Sequence, residues 1–90
     1  MLKADGFDEA ILGVARQFNQ PEKLVYDYAK CVEILMSRDE MSRDDAVEFM
    51  EFNVVGAYVG EQTPIWMMPM DPDLYDHVME YLNEEDDAPF

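Results

Sequence analysis

The stretch EAILGVARQFNQPEKLVYDY (residues 9–28) decides the fold class, because its first half fits two different periods. Ala10, Leu12, Val14, Arg16 and Phe18 alternate as in a strand, whereas Ile11, Leu12, Ala15 and Phe18 share one face of a helix. Gly13 in mid-run weakens the helix. Asn19-Gln20-Pro21 is a turn, and the run that follows, KLVYDY, is short and rich in β-formers. The spacing therefore predicts a β-hairpin of residues 9–18 and 23–27. Asp27 is placed to cap a helix that begins at Tyr28 and ends near Ser37-Arg38. Cys31, Ile34 and Leu35 form its apolar face, with Val32 and Met36 alongside.

Outward from this centre, residues 1–8 read as a polar lead-in with a turn at Asp5-Gly6. Downstream, Ser42 caps a second helix. Asp45 stands three residues later, in the capping-box position, and Met41 can staple onto Ala46. Ala46, Phe49, Met50, Val54 and Ala57 lie on one side, and Asp44, Glu48 and Glu51 on the other. This helix is expected to stop just before Gly60. Gln62-Thr63-Pro64 is extended, since a residue before proline avoids the helical region. Residues 65–68, IWMM, read as a third strand. Asp71-Pro72 is an N-cap with proline at the first helical position, opening a last helix to about Asn83. Leu74, Tyr75, Val78, Tyr81 and Leu82 are expected to face inward. The order is ββααβα. It describes one α+β domain, residues 1–83, with a small antiparallel or mixed sheet packed against two or three helices. Residues 84–90 form an acidic tail with no reason to be helical.

A 90-residue chain with 49% hydrophobic residues can build one real core. At this size burial alone leaves stability marginal, so support from a partner or a second copy is expected. The single Cys31 excludes an intramolecular disulfide. Neither a leader peptide nor a membrane-spanning run is expected, which makes cytoplasmic the default location. The charge is the most unusual bulk property: 21 acids against six bases give −15. Such a chain repels phosphate backbones and anionic lipid, so neither nucleic acid nor a membrane surface is expected as a direct ligand. A basic partner, a cation, or plain solubility remain.

The words Tyr26-Asp27, Met41-Ser42, Ala46, Glu51-Phe52-Asn53, Gly56-Ala57-Tyr58 and Gly60-Glu61-Gln62-Thr63-Pro64 carry a resemblance. The stretch from Leu24 to Ile65, nearly half the chain, resembles a group of small uncharacterised proteins of phages and prophage-like regions. The resemblance implies a phage-type accessory protein acting in the cytoplasm of an infected bacterial host, and no particular activity.

Glu51, Asn53 and Glu61 are the polar groups nearest the apolar core. They either line a small pocket or satisfy neighbouring backbone and a turn. Asp73, His77, Glu80 and Glu84 share a face of the last helix at spacings that can suit a divalent cation. A single His among acids on a solvated face more often holds no ligand, and no metal is expected. Asp71-Pro-Asp73 lacks the glycine and the distant glutamate of a calcium loop. No nucleophile motif or phosphate loop is present, so neither an enzyme nor a cofactor is expected. Cys31, on an apolar helix face, reads as a buried, inert thiol.

The acidic surface has two readings. In the first, the rows Asp44, Asp45, Glu48, Glu51 and Asp73, Asp76, Glu80, Glu84 imitate the phosphates of a duplex. They would then occupy the groove of a basic nucleic-acid-handling host protein and inhibit it. In the second, the end of the chain acts. Glu84-Glu85-Asp86-Asp87-Ala88-Pro89-Phe90 resembles the C-terminal tip of bacterial single-stranded-DNA-binding protein, which recruits replication and repair enzymes. Phe90 would fill an apolar pocket, with Pro89 beside it, its α-carboxylate on an Arg, and Glu85, Asp86 and Asp87 along a basic ridge. Ala88 stands where that family has a larger aliphatic residue. A third reading is a homodimer built on Trp66-Met67-Met68, unless those side chains serve as core.

Overall fold

The computed structural model describes residues 1–84. A 3-10 turn, Asp8–Ala10, leads into β1 (Ile11–Ala15), β2 (Lys23–Asp27) and α1 (Tyr28–Arg38). Then come α2 (Arg43–Phe49), a π-helical continuation (Met50–Val55), β3 (Ile65–Met67) and α3 (Pro72–Glu84). The order is ββααβα, as the sequence pattern predicts. The sheet is mixed. β2 lies in the middle, antiparallel to β1 and parallel to β3. A parallel neighbour cannot be reached through a tight turn, and α1, α2 and the π turn supply the crossover.

The helix starts follow their capping residues. Asp27 accepts from the Lys30 N–H at 3.1 Å, Ser42 from that of Asp45 at 3.1 Å, and Asp71 from that of Leu74 at 2.7 Å. Each satisfies one amide that a helix start otherwise leaves unpaired.

The first strand is shorter than expected. Glu9 and Ala10 belong to the 3-10 turn, closed by the Ala10 N–H on the Phe7 carbonyl at 2.9 Å. The turn exists because it folds Phe7 and Ala10 into the core, where both are buried. Phe18 lies beyond the strand and is 92% exposed. A register shift between Ile11 and Gly13 bends β1 onto β2.

The core consists of Phe7, Ala10, Tyr26, Cys31, Val32, Leu35, Ala46 and Met50. Tyr26 ties it together. Its ring stacks on Trp66 at 4.9 Å, and its hydroxyl accepts from the Ala4 N–H at 2.8 Å. Arg38 closes one edge: it donates to the Gly6 carbonyl at 2.8 Å and lies 5.5 Å from the Phe7 ring centre.

The second helix does not run as a straight α-helix toward Gly60. From Met50 it widens, and the Gly56 N–H donates to the Glu51 carbonyl, five residues back, at 3.0 Å. The core explains the change of pitch. Ala46, Met50 and Val54 recur every fourth residue, a step that drifts around an α-helix of 3.6 residues per turn. The wider turn keeps Met50 buried and Val54 half-buried against the core. Ala57, expected inside, is exposed.

The last helix corrects a further expectation. It spans Pro72–Glu84, in line with the expected run from Pro72 to about Asn83. Its apolar stripe does not enter the core. Leu74 and Val78 are half-buried, while Tyr75, Tyr81 and Leu82 are 52%, 55% and 51% exposed. The core around Tyr26 is already filled by side chains of the leading segment, α1, α2 and the π turn. β3, three residues long, adds only Trp66 to the side chains packed there.

The π turn has a testable consequence. A Cβ on residue 56 would lie 2.7 Å from the Glu51 carbonyl oxygen, which is backbone and cannot swing away. Gly56→Ala is expected to destabilise the fold by about 1–3 kcal/mol, the usual cost of overpacking. A urea midpoint unchanged from wild type would show that the turn is not held in this form.

Candidate functional site

The ionic pairs divide the chain. Among the described residues they are Lys3–Asp8, Arg16–Glu22, Lys30–Glu33 and Arg38–Asp39, all within residues 3–39. No Lys or Arg follows Arg43, yet thirteen of the 21 acids do. Among the described residues, Asp44, Asp45, Glu48, Glu51, Asp73, Asp76 and Glu80 therefore enter no ion pair, and all are exposed. Charges arranged this way raise the field in solvent instead of cancelling within the fold.

The predicted row on the second helix is only partly assembled. Asp45 and Glu48 share a shallow groove of about 380 Å³ with Met41, Phe49, Phe52 and Asn53. Asp44 lies in the first turn, where a carboxylate is favoured by the helix dipole. Glu51 leaves the row. The π turn begins one residue before it, and its carboxylate accepts from the Tyr28 hydroxyl at 3.4 Å. Burial, and then the Glu51 charge, raise the Tyr28 pKa. Phe52 is the residue that sequence reasoning missed. It is 77% exposed and stands in the groove beside both carboxylates. The spacing of Asp45, Glu48 and Phe52, three and seven residues along a helix, is the signal that could have found it. An aromatic face flanked by carboxylates suits the stem and charge of a Lys or Arg side chain.

On α3, Asp73, Asp76 and Glu80 are exposed along the polar side, and Glu84 closes the helix. Glu85, Asp86, Asp87, Pro89 and Phe90, the residues of the tip reading, lie outside the described residues. Among the described residues no group of three or more potential ligands is placed to hold a metal ion.

Glu51, Asn53 and Glu61 do not converge on one pocket. Asn53 lines a cleft of about 320 Å³ whose wall includes Phe7, Phe49, Val54 and Trp66, but neither glutamate reaches it. Nor does Glu61 satisfy its turn. Thr63 does, donating from its hydroxyl to the Gly60 carbonyl at 2.6 Å and accepting from the Val59 N–H at 3.0 Å. Trp66 packs on the core beside this cleft, whereas Met67 and Met68, its neighbours in the homodimer reading, are 47% and 57% exposed. The Trp66 indole N–H is buried without an acceptor.

Comparison with family models, with curated proteins and with solved structures found no match. No helix among the described residues is long and apolar enough to cross a membrane.

Cys31 is fully buried, and burial, with Asp27 adding to it, pushes its thiol up to about 11. The folded state thus resists forming the thiolate. The associated stability is complete below the thiol's ordinary pKa near 9 and is lost as the pH rises through about 11. The thiol should not react with an aromatic disulfide reagent at pH 8 until denaturant is added. Unfolding curves should weaken over that alkaline window in wild type more than in Cys31→Ala. Rapid labelling of the native protein would contradict the burial.

Proposed function

We propose that the chain is a phage-type accessory protein that binds, and thereby inhibits, a basic nucleic-acid-handling protein of a bacterial host. In this reading its carboxylates stand where the phosphates of DNA would. The observation that carries the proposal is the division of charge. The described part of residues 44–90 exposes its acids without a Lys or Arg to pair with them, while the ion pairs are confined to residues 3–39. A fold that needed charge only for solubility would gain as much from acids spread over both halves. The groove of Asp45, Glu48 and Phe52 gives the surface a place for a basic side chain. Such a surface speeds encounter with a cationic groove and is screened by salt.

The test is affinity capture from a bacterial lysate by the full chain and by Asp45→Lys/Glu48→Lys. The wild type is expected to retain a basic nucleic-acid-binding protein. Duplex DNA should displace it, and so should about 0.5 M salt, where the screening length is only a few ångströms. The double variant should bind that protein at least about tenfold more weakly, the scale of close interfacial charge pairs. Retention that ignores competitor DNA, or that survives the charge reversal, would overturn the proposal.

A further inference from the structure

The third helix is incomplete as it stands. Thirteen residues are about the length at which an isolated helix is only marginal in water, and most helical stability in proteins comes from packing an apolar face. At 100° per residue, Tyr81, Leu74, Val78, Leu82, Tyr75 and Met79 fall on one continuous arc. Asp73, Asp76, His77 and Glu80 fall on the other. The apolar arc is not consumed by the fold: only Leu74 and Val78 are half-buried, and Tyr75, Met79, Tyr81 and Leu82 are 38% exposed or more. The chain leading into it, with Met67, Met68 and Met70, is exposed as well. Single exposed apolar residues need no explanation, but a whole helix face of them marks an interaction surface.

Charge chooses the occupant. A second copy would bring another half-chain with thirteen acids and no Lys or Arg, so two such faces would approach against the repulsion of like charge. A helix with the same kind of apolar stripe that carries Lys and Arg would bury the stripe and bring opposite charge to this acidic half-chain. We infer that the apolar face of α3 is a docking site for a basic amphipathic helix of the partner protein. This rests on the reading of the acidic surface as a binder of basic proteins and says how one such protein is held. The α2 groove would take extended basic side chains, and α3 would take a helix.

The inference is tested on the full chain with three labelled synthetic peptides of about 18 residues, roughly five helical turns. One is a Leu/Lys peptide with a continuous Leu stripe. The second has the same composition in an order that destroys the stripe. The third keeps the stripe and replaces Lys by Glu. The striped Lys peptide should bind on the order of tenfold more tightly than its scrambled form, the scale of one well-buried apolar anchor. The Glu peptide should not bind. In Tyr75→Glu/Leu82→Glu the advantage of the stripe should vanish, although two added carboxylates would strengthen a purely electrostatic contact. Tyr75→Ser/Leu82→Ser should repeat the loss without adding charge. Both positions are about half exposed, and circular dichroism with a urea midpoint checks that the fold stands. Asp45→Lys/Glu48→Lys should keep the preference for the stripe. Equal binding of the striped and scrambled Lys peptides would overturn the inference while leaving the acidic-surface reading intact. Binding of neither would overturn both. A free protein with the mass of two chains, falling to one in Tyr75→Glu/Leu82→Glu, would assign the face to a second copy and overturn the inference as well.

Discussion

Tyr26 holds the fold together. It lies in the central strand, opposite Ile11 on one side and Trp66 on the other. Its ring is fully buried and stacked on Trp66, and its hydroxyl takes the Ala4 amide. Backbone pairing and this one side chain together join the leading segment, both sheet edges and the core. The core around it is small, eight buried side chains, and it lies almost wholly in residues 7–50. A domain of this size has little stability to spare. It spends its helix-packing surface on α1 and α2, and that leaves α3 outside.

The charge divides the chain more sharply than the packing does, since Ala46 and Met50 of the core follow Arg43, and Leu12, Val14 and Phe18 before it are exposed. The segment that closes around Tyr26 contains every Lys and Arg and every ion pair seen among the described residues. The segment after Arg43 carries acids without compensation, and with it the exposed aromatic and aliphatic residues Phe52, Tyr58, Met67, Met68, Tyr75 and Leu82. Exposed apolar surface on this scale is unusual for an isolated monomer. With the charge beside it, it fits the proposed docking of another molecule on the second half, with charge guiding the encounter and apolar contact holding the complex.

Much of this was legible locally. Asp27, Ser42 and Asp71 announce helix starts because a side-chain oxygen two or three residues before an unpaired amide has few other uses. The strand at residues 23–27 was readable from β-formers following a proline turn. What escaped was decided by tertiary packing. Nothing in EFMEFN announces a π turn, which follows from the need to keep Met50 and Val54 on a core that other segments build. The same change of pitch removed Glu51 from the acidic row and left Asp45 and Glu48 with Phe52. The stripe on α3 was correctly read as a helix face, but periodicity specifies that a face is apolar, not what covers it. The alternation that continues through Glu9 and Ala10 predicts strand there. Their turn is set by the burial of Phe7, a contact outside that window.

The most direct measurement is hydrogen exchange along the whole chain, free and with the striped Leu/Lys peptide. Amides of β2 and α1 around Tyr26 should exchange last, by global unfolding. Those of α3 should exchange fastest among the helices in the free protein and slow by on the order of tenfold when the peptide binds. Protection of α3 in the free protein equal to that of β2, unchanged by the peptide, would mean that the helix is already packed and that the second half of the chain is not an open partner surface.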